Sequence, residues 1–270
     1  MKFKDGHVHT PYCPHGTDEP VSAYIEKAIA LGYEEITFTE HAPLPKGFID
    51  PAPTRDSSIQ MDQLFTYIEE IRRCKEKYKA KIAINIGLEV DYIDGWEQET
   101  TEFLNEIGPY LDDSILSVHF LKNQNDWYCL DYSETEFGHM IEQYQSVDQL
   151  YKAYYHTLQK SIISDLGTFK PKRVGHISLI TKFQKKYPSN VPLESYLLPI
   201  LSLIKERGYE LDLNTAGLFK PLCGETYPPI PFIQAAIKMG IPLCYGSDAH
   251  HPEDLGRGLD VLKTKILTNE

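Results

Sequence analysis

The chain carries ten histidines in 270 residues. Six of them, with two carboxylates, fall at the ends of short β-rich runs: His7 and His9 in HVHT, His41 in TEH, Glu89 in GLE, His119 in SVH, His176 in GH, and Asp248 with His250 in SDAH. Imidazole nitrogen and carboxylate oxygen are donors suited to zinc, iron or manganese. Successive side chains on a strand point to opposite faces, so residues two apart share one. His7 and His9 therefore project together, as do Asp248 and His250. A lone histidine near a strand end is ordinarily a satisfied polar residue, and a lone HxH says little more. Six of seven strand ends supplying His, Asp or Glu point instead to a cluster of bound divalent metal. His139, in a long insertion, His156, on a helix face, and His251, opposed to His250 if its strand continues, read as ordinary polar residues. His15, in the loop after the first strand, is ambiguous, with Asp18 as the fallback there.

Seven strands are expected to present these groups: residues 2–10, 34–41, 81–92, 114–120, 173–179, 209–216 and 241–250. Helices are expected over 22–32, 61–78, 97–111, 147–165, 193–207, 231–240 and 254–268, from apolar spacings of three and four. In the second, Leu64, Tyr67, Ile68 and Ile71 share a face. Alternating strands and helices mean βαβ units and a parallel sheet. Seven strands, each followed by a helix, suggest a closed or nearly closed barrel within a single domain over residues 1–270; an open doubly wound sheet is the alternative. Connections from helix to strand are short. Three from strand to helix are long, at 42–60, 121–146 and 217–230, and long connections in a compact domain are usually functional. In parallel barrels the active site is built from these loops.

Hydrophobic residues make up 41% of the chain, enough for a full core, and the net charge is −12. A polynucleotide partner calls for a basic surface, so this balance argues for a small substrate. Five cysteines without a CxxC pair argue against a disulfide framework and for a reducing compartment. No apolar run is long enough for a membrane helix or a signal peptide, which makes the cytoplasm the expected address. Nothing in the sequence fixes an oligomeric state.

The ordered set HVHT, TEH, GLE, VH, GH and SDAH, spanning residues 7 to 250, resembles the polymerase and histidinol phosphatase family of metal-dependent phosphoesterases. HVHTPYCPHG, TEHAP, GLEVDY, SVHFL, LNTAGLFKP and GSDAH are most similar to its histidinol-phosphate phosphatases, enzymes of histidine biosynthesis. The resemblance implies a distorted seven-stranded (β/α) barrel, TIM-barrel-like, and up to three divalent ions (zinc, iron or manganese). It implies ligand roles for His7, His9, His15, His41, Glu89, His119, His176, Asp248 and His250, with Glu89 bridging two ions. Glu40 stands where relatives usually have Asp, at a position behind the ligands.

The implied substrate is a phosphate monoester, L-histidinol phosphate. Clustered metals lower the pKa of water and neutralise charge on phosphate oxygens. Glu89 and Asp248 are the candidate catalytic carboxylates; Asp248 or a water on the metals would protonate the leaving alcohol. Among cations on the loop side (Arg55, Lys122, Lys220 and Arg257), Lys220 and Arg257 are the candidates for phosphate, each weighed against a solvated surface charge. Arg173 begins the fifth strand, at the wrong end. Trp127, Tyr128 and Asp131 are candidates to recognise the imidazole and amine, or are the loop's own packing core. The competing functions are action on another phosphomonoester or a nucleic-acid phosphodiester, and a catalytically silent metal-binding module.

Overall fold

A computed structural model describes residues 4–267. Lys2 and Phe3 of the first expected strand and Thr268 of the last expected helix lie outside the described residues. The strands are β1 (Lys4–Val8), β2 (Glu35–His41), β3 (Ala83–Asp91), β4 (Asp113–Ser117), β5 (Phe120–Asn123), β6 (Asp126–Cys129), β7 (Arg173–Val174), β8 (Glu210–Asn214) and β9 (Leu243–Gly246). The helices are α1 (Val21–Ala30), α2 (Met61–Tyr78), α3 (Glu97–Ile107), α4 (Glu134–Gln143), α5 (Val147–Ile163), α6 (Glu194–Arg207), α7 (Ile230–Lys238) and α8 (Leu259–Leu267).

Seven strands form one parallel sheet in the order β1-β2-β3-β4-β7-β8-β9. Its edges meet: His9 N donates to Ala249 O at 2.9 Å, Asp248 N donates to His7 O at 2.9 Å, and Val8 bridges Ala249 in parallel. Closure removes the exposed edges that an open doubly wound sheet would keep.

The strands alternate in an unusual sense. Ile84, Ile86, Leu88 and Val90 of β3 join the apolar core beneath the helices, as do Ile36 and Phe38 of β2 and Leu211 and Leu213 of β8. The intervening residues, including Thr37, Thr39 and His41, Glu89 and Asp91, and Asp212 and Asn214, are buried polar groups. Period-two alternation thus turns apolar side chains outward to the helices and polar ones into the barrel. Leu64, Tyr67, Ile68 and Ile71 of α2 are buried as expected, behind a Gln60–Gln63 capping box; α6 ends at Gly208, whose φ of 65° suits glycine.

Three expected strands stop short of the site residues they were to carry. β9 ends at Gly246, before Asp248 and His250. β4 stops at Ser117, before His119, and β7 spans only Arg173–Val174, so His176 lies past its end. The expected loop at 121–146 holds the antiparallel hairpin β5–β6 and helix α4. The hairpin turns at Gln124, with φ 55°, without the Asn-Gly or Asp-Gly signature that would mark it. α4 buries only Phe137 and Met140, too few for a clear helical stripe. Residues 42–60 form no regular element; Phe48 anchors them against Trp96, Phe120 and Trp127, at 5.6, 5.5 and 5.2 Å between ring centroids. Among the described residues no helix is long and apolar enough to cross a membrane.

Candidate metal centre

The polar interior rows converge at the C-terminal ends of the strands on Glu89, which is 1% exposed. Its two carboxylate oxygens face different partners. Oε1 lies 2.8 Å from His176 Nε2 and 3.8 Å from His119 Nε2, and accepts from Ser117 Oγ at 2.6 Å. Oε2 lies 3.4 Å from His7 Nε2, 3.5 Å from His9 Nε2 and 3.2 Å from His41 Nδ1. Asp248 closes the opposite side, with Oδ1 3.2 Å from His9 Nε2 and 3.7 Å from His7 Nε2.

His7 and His9 share a face as strand alternation requires, with ring centroids 5.3 Å apart. Pairing with β2 slips by one residue between Asp5 and Val8, a bulge of the kind that re-aims side chains beside a site. Asp248 and His250 converge for another reason than the expected one. β9 ends at Gly246, and Asp248 has a left-handed φ of 54°, so the turn rather than a pleat aims them. Gly246 is required here: a Cβ would lie 2.3 Å from Asp212 Oδ1 and 2.7 Å from His7 Cβ.

Behind the imidazoles stands a set of oxygens. His7 Nδ1 lies 2.9 Å from Asp212 Oδ2, His119 Nδ1 2.8 Å from Asp91 Oδ1, and His9 Nδ1 3.4 Å from Glu40 Oε1. His250 Nδ1 meets Asp248 O at 3.1 Å, and His15 Nδ1 meets Asp56 O at 3.1 Å. In each pair the oxygen accepts a hydrogen bond from Nδ1–H, which keeps the proton there and leaves Nε2 free to ligate, the tautomer that a metal-binding histidine needs. Accordingly Nε2 of His7, His9, His41 and His250, Nδ1 of His41 and Nδ1 of His176 are buried without a hydrogen-bond partner. Buried polar atoms are rarely left so. Their number at one point, in a set of nitrogen and carboxylate donors, fits divalent metal. Among the described residues three groups have donor atoms within 4.8 Å of one another: His7, His9 and Glu89; Glu89, His119 and His176; and His9, Cys13, His41 and His250.

The electrostatics agree. Burial opposes charging of His7, but Glu89, Asp248 and Asp212 outweigh it and hold its pKa well above the ordinary value. His9 is likewise brought to about 9 against burial, by Asp248 and Glu40, and His119 to about 10, by Asp91 and Glu89. Burial and the neighbouring His9 instead push His41 and His250 well down. Burial would raise Glu89, yet His7 and His119 hold it far below the usual carboxylate range. The carboxylates thus draw positive charge to His7, His9 and His119, and a cation bound there would displace their protons and take over that charge.

The centre lies at the base of a cavity of about 400 Å³. Lys220 and Arg257 both line it, and so do Lys182 and Asp131. Arg257 Nη1 pairs with Asp254 Oδ1 at 2.9 Å. Lys182 Nζ pairs with Asp131 Oδ2 at 3.0 Å. Burial lowers the pKa of Lys220, and Lys182 nearby lowers it further. His15 lines this cavity, and its ring lies 5.1 Å from those of His41 and His250. Asp18 and Arg55 line a different one. Lys122 stacks over Trp127, 5.4 Å from its ring centroid, and Tyr128 packs on Tyr144. Trp127 and Tyr128 thus belong to the packing of the insertion, and Asp131 alone of that trio lines the cavity.

Residue reasoning missed Asp212, Asn214 and Asp91, which orient site groups from within strands, and Cys13. The signal for the first three is a polar residue at every second position of a strand buried on both faces, as in LDLN.

A model of the PHP domain family matches residues 5–216, and one of a PHP-associated segment matches residues 233–270. The chain is 46% identical over 258 residues to the histidinol-phosphatase of Bacillus subtilis, covering 95% of this chain and 96% of that protein. A solved structure from Listeria monocytogenes, whose assignment as a histidinol phosphatase is provisional, shares 43% identity with a TM-score of 0.92, over 96% of this chain and 99% of that one. The histidinol phosphate phosphatase of Lactococcus lactis, solved with zinc, L-histidinol and phosphate, shares the fold at a TM-score of 0.71 and 21% identity, over 98% and 94% of the two chains.

Proposed function

The chain belongs to the PHP domain family, and from that premise we propose that it is a metal-dependent phosphatase that hydrolyses L-histidinol phosphate to L-histidinol and phosphate in histidine biosynthesis. The observation that carries the reading is Glu89, whose Oε2 faces the bare nitrogens of His7, His9 and His41 while its Oε1 faces Nε2 of His176 and His119.

We assign up to three divalent ions, of zinc, iron or manganese, to the centre. His7, His9, Glu89 and Asp248 would hold one; Glu89, His119 and His176 a second; His15, His41 and His250 a third. Bound there, such ions lower the pKa of water and neutralise charge on the phosphate oxygens. The chain's own groups do the rest. Asp212, Glu40 and Asp91 fix the tautomers of His7, His9 and His119. Lys220, which has no carboxylate within ion-pair distance among the described residues, meets the phosphate from the cavity wall, with Arg257 beside it. Asp248, kept ionised by His7 and His9 in spite of burial, or a water on the ions would protonate the departing alcohol. The donor set is complete in this chain, which favours catalysis over a silent module.

The test is phosphate release from L-histidinol phosphate by the purified protein supplied with zinc, iron or manganese. A His9→Ala variant, other phosphomonoesters and a dinucleotide diester run alongside. Selective release that the variant loses is the expected result. Release from the other esters alone would keep the centre and overturn the substrate; no release from any ester, with metal bound, would overturn the enzyme.

A further inference from the structure

Cys13 lies in the loop between β1 and α1, and its side chain is 4% exposed. A buried free cysteine ordinarily acts as a small hydrophobe among apolar neighbours. The surroundings here are imidazoles: the thiol and one ring nitrogen each of His9, His41 and His250 lie within 4.8 Å of one another. The turn that places the thiol is tied at both ends, Cys13 N donating to Thr10 O at 3.0 Å and Gly16 N to Cys13 O at 3.0 Å. Independently of the cysteine, both ring nitrogens of His41, a residue 7% exposed, are without hydrogen-bond partners, as is Nε2 of His9 and of His250. Buried nitrogens left bare around one point call for a ligand to all of them.

We infer that Cys13 Sγ is a ligand of the ion held by His41 and His250, so that this ion has a mixed sulfur and nitrogen donor set. The inference rests on the metal-centre reading above and adds a residue to it. Binding is a simple exchange: the thiol releases its proton to solvent, the sulfur lone pair bonds the cation, and no oxidant or reductant takes part. A thiolate is a soft donor, which favours zinc or iron over manganese at this position. The two ions around Glu89, with nitrogen and oxygen donors only, have no such bias.

Cobalt(II) reports the difference. Protein stripped by chelation and reloaded with cobalt should show visible d–d bands from the whole centre and, in addition, a near-ultraviolet sulfur-to-cobalt charge-transfer band. Cys13→Ser should lose that band, keep the visible ones, and weaken its preference for zinc over manganese at one ion per chain by about tenfold or more. Cys129→Ser, which removes another thiol on the cavity wall, should keep both sets. Should Cys13→Ser fail to fold, zinc X-ray absorption on the unaltered protein decides alone, by a sulfur scatterer at about 2.3 Å. Visible bands without the charge-transfer band, a charge-transfer band that survives Cys13→Ser, or only nitrogen and oxygen scatterers would overturn the inference and leave the centre standing. Failure to retain cobalt or zinc would overturn the centre itself.

Discussion

At the N-terminal end of the barrel a charge is buried together with its partners; at the C-terminal end donors are buried without them. On the floor, Arg173 is 2% exposed. Its Nη1 donates to Gly6 O at 2.8 Å and to Cys244 Sγ at 3.1 Å, Nη2 pairs with Asp113, and Nε lies 3.3 Å from Glu210 Oε2. Gly6 leaves room for it, since a Cβ there would lie 2.1 Å from Nη1. At the mouth, six imidazole nitrogens have no hydrogen-bond partner among the described residues. Burying a charge is tolerable only when it is paired. The floor meets that condition within the chain. The mouth meets it only when cations arrive, and this distinguishes a structural network from a binding one although both hold buried charges.

The comparison breaks most sharply at Glu89. Glu89→Gln keeps the shape and removes the charge that two donor groups share, so activity on L-histidinol phosphate should fall roughly 10,000-fold, about 5 kcal/mol of transition-state stabilisation. Metal content should fall with it, read by elemental analysis of the purified variant. At the floor the effect should be on stability instead. Arg173→Leu leaves Asp113 and Glu210 without their cation and should cost about 3–5 kcal/mol in denaturant unfolding, while the folded variant keeps its metal. The reverse pattern, metal lost and stability kept, would mean that the two ends are not distinct.

Smaller changes sharpen the contrast. Asp212→Asn retains an acceptor for His7 Nδ1 but not its charge, and should weaken metal affinity about tenfold in chelator competition. Lys170, 8% exposed, lines the floor cavity and donates to Ile162 O at 2.8 Å and to Ser164 O. Burial, aided by Arg207, lowers its pKa from 10.5 to about 8. Between those values the unfolded chain binds more protons than the folded one, so this group makes stability rise with pH from about 8 towards 10.5, with no contribution to the slope below 8. Lys170→Met should lack that rise, seen as a variant that loses ground to the parent between pH 8 and 10 in urea midpoints.

The barrel and most of its site were legible because histidines are rare and strand ends punctuate this chain. HVHT, TEH and SDAH each sit where a strand stops, and short helix-to-strand connections forced the loops to one side. The sixth strand was the blind spot. Asp212 and Asn214 lie within β8 and carry no histidine, so only the inverted alternation of LDLN, polar inward and apolar outward, marks them. The convergence of Asp248 and His250 was anticipated for the wrong reason, since a left-handed residue, not a pleat, aims them. The hairpin and α4 were hidden because their stability comes from packing, Phe48 on Trp127 and Phe137 on Phe183, rather than from a local turn signature. Cys13 escaped because one cysteine in a loop has no pattern at all.

The seam between β1 and β9 also sets a schedule. Asp248 and His250, joined to His7 and His9 by the Val8–Ala249 bridge, are translated some 240 residues after them. A nascent chain therefore cannot assemble the donors on either side of that seam before β9 and the turn after it have been translated. His7 and His9 stay without those partners over that stretch of elongation, so uptake at the donors that straddle the seam follows closure of the barrel.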